Sequence, residues 1–208
     1  MTKIGIMGGT FNPIHYGHLF MAEQAYEQMG LDKILFMPSN NPPHKDNGII
    51  ISNDHRSTMV EIAIMENSHF QLSTMEMDRK GITYTADTLR ILNDEHPNTE
   101  YYFIIGADSF FNIHKWREPE NIFKLCTLLV FERDLVDKDK MVNHYRYLSG
   151  VYPHIRLEFL SMPTIQISSN NIRQRINDNL TIRYYLPDKV LAYIIEHKLY
   201  TNVEKNKE

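Results

Sequence analysis

Two short stretches of this chain concentrate residue types that handle anions. Near the front, Gly8-Gly9-Thr10-Phe11-Asn12-Pro13-Ile14-His15-Tyr16-Gly17-His18 follows the apolar run Ile4-Gly5-Ile6-Met7. Far downstream, Ile167-Ser168-Ser169-Asn170-Asn171-Ile172-Arg173 sets hydroxyls and amides where a helix can begin. Paired glycines let backbone N–H groups approach an anion closely. A helix starting near Gly17 adds its unpaired N–H groups and a positive dipole end. His15 and His18 at that mouth can donate hydrogen bonds to phosphate oxygens. Arg173 lies four residues after Ser169 and so projects from the same helix face. Taken singly, the first stretch also reads as a tight glycine turn decorated by histidines, and the second as a capped helix with a solvent arginine. Together they suit a triphosphate.

Other chemistries fit less well. A dinucleotide fingerprint requires G-x-G-x-x-G, whereas the glycines fall at 5, 8, 9 and 17, and no acidic residue follows the second strand at Met37-Pro38-Ser39. No G-x-x-x-x-G-K-[ST] exists anywhere in the chain. His15 and His18 could share a face as metal ligands, yet the glutamate of H-E-x-x-H and an obvious third ligand are missing, so no metal ligands are assigned.

Positioning these residues requires a sheet. Residues 3–7 and 33–37 read as short buried strands flanking a helix on which Leu19, Ala22, Tyr26 and Met29 recur, with Gly30 as its stop. That unit implies parallel strands. Residues 39–48 are too rich in proline and asparagine to be regular. A helix over about 54–66 follows, then a strand over 70–78. GITYTADT (81–88) turns into a helix carrying Leu89 and Leu92. Further strands are expected over 101–105, 127–131 and 155–160. Two helices close the chain, one capped by Ser168 or Ser169, the other started by Pro187. The expected fold is α/β: a doubly wound, Rossmann-like parallel sheet with helices on both faces. Residues 1–208 form one domain, with a small helical C-terminal part over about 168–202. Ligands of such sheets bind beyond the carboxyl ends of the strands.

Composition frames the partners. Apolar residues make up 42% of the 208 and charged ones 23%, enough for a well-packed core. A net charge of −4 offers nucleic acid no broad basic surface, so a phosphate ligand must be held locally. The single cysteine, Cys126, cannot form an intramolecular disulfide and fits a reducing compartment. No apolar run approaches the ~20 residues that span a bilayer, and no signal-peptide core is visible. A cytoplasmic protein with neither nucleic-acid nor membrane partners is expected; a homodimer is left open.

With these residues in place, the chain resembles the HxGH nucleotidyltransferases, in which a [ST]-x-G-H element works with a C-terminal S-S-T-x-I-R element. His15-Tyr16-Gly17-His18 matches the first; Ser168 to Arg173 matches the second, with Asn170 in place of threonine. Within that superfamily it is most similar to bacterial nicotinate-nucleotide adenylyltransferases. GGTFNPIHYGH, NPPHK (41–45), GITYTADT, FIIGADS (103–109), KW (115–116), FERD (131–134) and ISSNNIR fall in the family's order. The resemblance implies adenylyl transfer from ATP, accompanied by Mg²⁺, to nicotinate mononucleotide, giving deamido-NAD and pyrophosphate. It implies His15, His18 and Arg173 as catalytic groups. ATP would be bound by Gly8, Gly9, Thr10, His15, His18, Gly106, Asp108, Ser168, Ser169 and Arg173. The mononucleotide would be met by Asn40, His44, Lys45, Thr85, Lys115, Trp116 and Arg133. Each has a plainer alternative: Asp108 can cap a helix, Thr85 likewise, Trp116 can be core, and the cations can be solvated surface. Rival functions are phosphopantetheine adenylyl transfer, cytidylyl transfer and nucleotide sensing without turnover.

Overall fold

The computed structural model describes residues 1–40, 50–131 and 138–201. Strands form over Thr2–Gly9 (β1), Lys33–Pro38 (β2), Phe70–Leu72 (β3), Thr99–Gly106 (β4), Thr127–Phe131 (β5) and Leu157–Leu160 (β6). All neighbouring strands pair parallel, in the order β3-β2-β1-β4-β5-β6. The order reverses at β1 and β4, which opens a crevice beyond their carboxyl ends.

Both sheet faces are buried, as the strands' apolar runs require. Along β4 the side chains alternate: Tyr102 and Ile104 join one core, Tyr101, Phe103 and Ile105 the other. The first core is covered by α1 (Tyr16–Met29), α2 (Asn53–Ile64), α7 (Ser169–Asn177) and α8 (Asp188–Glu196) through Ala22, Met59, Ile172 and Val190. The second is covered by α3 (Thr85–Glu95), α4 (Ala107–Asn112), α5 (Pro119–Leu125) and α6 (Lys138–Val151) through Leu89, Phe110, Phe123 and Leu148. The C-terminal helices therefore share the first core. No helix among the described residues is long and apolar enough to cross a membrane.

The expected α/β architecture holds, with helices on both faces. The strand expected over 70–78 is the main departure. It stops at Leu72 because Thr74 closes a turn, its Oγ1 donating to Asp78 Oδ2 at 2.7 Å and its carbonyl accepting from Asp78 N–H at 2.9 Å. β6 begins two residues late, behind a turn in which Ile155 N–H donates to the Tyr152 carbonyl. Helices α4, α5 and α6 fill segments for which the sequence offered no assignment.

Candidate active site

The opening stretch does not fold as a glycine turn. Gly8 and Gly9 are the last residues of β1. The reversal falls at Phe11, whose φ of 47° is a strained value for a bulky residue. Burial of its ring, which is 1% exposed and packed against Phe36 and His18, offsets that strain. A Cβ at Gly9 would come within 3.3 Å of the same ring. Small size at position 9 thus makes room for the turn that follows.

His15 is the N-cap residue of α1, and its ring stacks on that of His18 with centroids 3.8 Å apart. Gly17 leaves room for the pair: a Cβ there would lie 3.0 Å from the His15 ring, tighter than an ordinary contact. The His-x-Gly-His spacing is therefore a packing solution that brings two imidazoles together at a helix mouth. That mouth is less open than expected, since Tyr16 N–H donates to the Tyr185 carbonyl and His18 N–H to the His15 carbonyl, each at 3.0 Å. Gly17 N–H has no backbone partner among the described residues.

The second stretch docks onto the first. Ser168 caps α7, its hydroxyl accepting from Asn171 N–H at 3.1 Å. Ser169 Oγ donates to the Pro13 carbonyl at 2.8 Å, and Arg173 Nη1 donates to the Asn12 carbonyl at 2.8 Å. Arg173 Nη2 also donates to Asn170 Oδ1 at 3.1 Å, so that amide orients the arginine. Two stretches joined by a bond spanning 156 residues become one wall.

This wall bounds a cavity of about 1230 Å³, larger than the ~300–1,000 Å³ of one small-molecule pocket. It gathers Gly8, Gly9, Thr10, His15, His18, Gly106, Asp108, Ser168, Ser169 and Arg173, together with Thr85 and Trp116. Trp116 is half-buried, edge-on to Phe103 with ring centroids 6.2 Å apart, so it is neither solvent-exposed nor core. Two expected residues are not on the cavity wall. Asn40 Nδ2 donates to the Arg79 carbonyl at 2.8 Å and its Oδ1 accepts from Asn53. Lys115 Nζ donates to Asn112 Oδ1 at 3.1 Å on the exposed side. His44, Lys45 and Arg133 lie outside the described residues.

Several wall residues escaped the sequence reading. Arg117 lines the cavity, its guanidinium 4.5 Å from the centre of the Tyr84 ring. Glu76 accepts from Thr88 Oγ1 at 2.8 Å and from Thr83 Oγ1 at 3.3 Å; burial pushes its pKa up, against the pull of those hydroxyls and Arg79. Residues 162–167 form a wall without regular structure and so carried no periodic signal. Among the described residues, Glu76 and Asp108 are the carboxylates on the wall, and no three His, Cys, Asp or Glu converge to hold a metal. Cys126 is no nucleophile: its buried thiol, pushed up to about 12, donates to the Ile122 carbonyl.

Comparison with known proteins fits this geometry. Residues 6–175 match the cytidylyltransferase-like family model. The chain is 46% identical over 200 residues to a "probable nicotinate-nucleotide adenylyltransferase" of Lachnoclostridium phytofermentans, covering 96% of this chain and 100% of that one. It is 42% identical to the protein of the same name from Lactiplantibacillus plantarum, covering 95% of this chain and 88% of that one. In structure it is similar to Plasmodium falciparum nicotinic acid mononucleotide adenylyltransferase complexed with NaAD, with a TM-score of 0.78 at 23% identity over 96% of this chain and 98% of that one.

Proposed function

Because the chain belongs to the cytidylyltransferase-like family, and within it to the nicotinate-nucleotide adenylyltransferases, we propose that its cavity transfers the adenylyl group of ATP to nicotinate mononucleotide in NAD biosynthesis. The observation that carries this reading is the joined wall of His15, His18 and Arg173 in one large cavity. A phosphate oxygen of the mononucleotide attacks the α-phosphorus of ATP. The bond from that phosphorus to the bridging oxygen breaks, and deamido-NAD and pyrophosphate leave. The attacking phosphate is already anionic, so no general base is needed. Catalysis is alignment of two nucleotides in line and stabilisation of charge on the α-phosphoryl and pyrophosphate oxygens.

His15 and His18 face the α-phosphoryl oxygens, Arg173 the departing pyrophosphate, and Gly106 and Asp108 the ribose of ATP. Ser168 and Ser169 act chiefly by fixing α7 against the loop. Thr85 and Trp116 meet the nicotinate ring. Lys115 and Asn40, off the wall and engaged with Asn112, Arg79 and Asn53, are not assigned to the acceptor, whereas His44, Lys45 and Arg133 remain assigned to its phosphate by resemblance. Mg²⁺ arrives on the triphosphate as part of the substrate. The protein works in the cytoplasm as a single domain. The test is pyrophosphate release with MgATP and, separately, nicotinate mononucleotide, nicotinamide mononucleotide and phosphopantetheine. Absence of release with nicotinate mononucleotide overturns the reading.

Two substitutions separate the subsites. Arg173→Ala weakens ATP more than the mononucleotide, as titration calorimetry of each nucleotide reads. Equal losses, or loss of the acceptor alone, overturn its placement. Trp116→Ala raises the acceptor's dissociation constant by about 5- to 150-fold, the equivalent of the ~1–3 kcal/mol that a stacked base contributes. Because the ring also packs on Phe103, melting temperature falls modestly. A large fall with unchanged acceptor affinity makes Trp116 a core residue only.

A further inference from the structure

Arg56 belongs to none of the stretches assigned above, yet it heads the fully buried side chains by volume, with 0% of its surface exposed. An arginine stays protonated in proteins, and a buried charge is costly unless it is hydrogen-bonded and paired. Its partners are neutral. Nη1 donates to the Thr10 carbonyl at 2.7 Å, and Nη2 donates to the Asn40 carbonyl at 3.3 Å and to Asn53 Oδ1 at 2.5 Å. Among the described residues no carboxylate forms an ion pair with it. Burial accordingly presses its pKa downward, with the Tyr200 hydroxyl pulling the other way.

The carbonyls it holds belong to the two strand ends that floor the cavity. Thr10 follows β1 directly and stands on the wall; Asn40 follows Ser39, another wall residue, whose N–H donates to the Gly9 carbonyl at 2.9 Å. Asn53 Nδ2 donates to Asn40 Oδ1 at 2.7 Å, so Asn53 braces both the arginine and its target. We propose that Arg56 is a positioning residue for adenylyl transfer, fixing the ends of β1 and β2 relative to each other and leaving a buried positive charge directly behind the phosphate loop. In a low-dielectric interior such a charge acts on a ligand's phosphates more strongly than a solvated one. Its planar fork is what lets one side chain hold two separate carbonyls. The inference rests on the adenylyl-transfer reading, but it is tested by binding as well as turnover.

Three variants decide it: Arg56→Lys, which keeps charge without the fork; Arg56→Met, which removes both; and Asn53→Ala, which loosens the brace while leaving the arginine. Each is measured beside the wild type for kcat and both KM values per folded molecule, and for the rise in melting temperature that ATP induces. We expect kcat/KM to fall by about 10- to 100-fold in Arg56→Lys, the range a misplacement of the reacting groups produces. Arg56→Met falls further, and Asn53→Ala falls severalfold in the same direction. The ATP-induced rise shrinks in all three. A structural residue only would lower melting temperature and folded fraction with kcat, both KM values and the ATP-induced rise per folded molecule unchanged. That result in Arg56→Lys, or in Asn53→Ala should the first not fold, overturns the inference. Wild-type turnover judges the reaction and variant ATP affinity judges Arg56, so each can fail alone.

Discussion

Replacing His18 by alanine lowers kcat by about 10²–10³-fold, the ~3–4 kcal/mol that one preorganised donor to a developing oxyanion supplies. The ring is held from two sides, stacked on His15 at 3.8 Å and edge-to-face with Phe11 at 5.0 Å. The absence of a side chain at Gly17 leaves room for that stack. Because the donor matters most where charge develops, kcat falls more than ATP affinity does. The ring is only half-buried, so a small drop in melting temperature, from lost packing on Phe11, accompanies the change. Turnover by the purified variant at saturating nucleotides is the measurement. A variant that keeps more than about half of wild-type kcat has lost under ~0.4 kcal/mol of barrier. That is too little for a transition-state donor and would remove His18 from the catalytic assignment.

The features legible in the sequence were those encoded locally. β5 lies where Thr127-Leu128-Leu129-Val130-Phe131 reads as an unbroken apolar run, because both faces of that strand are covered. Ser168 caps α7 by a contact three residues long. Helix α6, by contrast, buries only Met141 and Leu148 in fourteen residues, with Tyr145 partly buried between them, and the exposed Val142, Tyr147 and Val151 blur that period. Segments α4 and α5 have six and seven residues and packed aromatics, which read equally well as strand.

The site divides the same way. His15, His18 and Arg173 carry recognisable spacing, but what joins them, Arg173 to the Asn12 carbonyl, spans 161 residues and has no local signature. Arg56 sits on a helix whose other charged residues, Asp54 and Glu61, are exposed, so nothing in its sequence surroundings sets it apart. Only the closing of α2 over the strand ends buries it. Lys115 and Arg117 flank Trp116 as equivalent cations in sequence. The extended backbone at Trp116, after the 3-10 turn over Ile113–Lys115, puts Arg117 on the cavity wall and leaves Lys115 outside.

The choice between acceptors turns on that same wall. Nicotinate and nicotinamide mononucleotides differ by a carboxylate against a carboxamide, and the amide brings two donors where the acid offers acceptors alone. Thr85 is the first residue of α3. Asp87 and Thr88 N–H both donate to the Tyr84 carbonyl at 3.1 Å, while the leading amides of Thr85 and Ala86 have no backbone partner among the described residues. A helix start with amides to spare favours an anion. Trp116 N–H is taken by the Ile113 carbonyl, but Arg117 brings a cation to the same side of the cavity, over Tyr84. A carboxamide placed there must turn its N–H₂ toward donors or leave them unpaired, and it forgoes the charge. Sites built on buried polar groups discriminate by as much as ~10⁴, so a preference for nicotinate mononucleotide of at least about a hundredfold in kcat/KM is expected. The ratio is read by running both acceptors under identical MgATP. Comparable values would sink the nicotinate assignment and leave adenylyl transfer standing. Turnover of phosphopantetheine in place of either mononucleotide would remove the pyridine acceptor altogether.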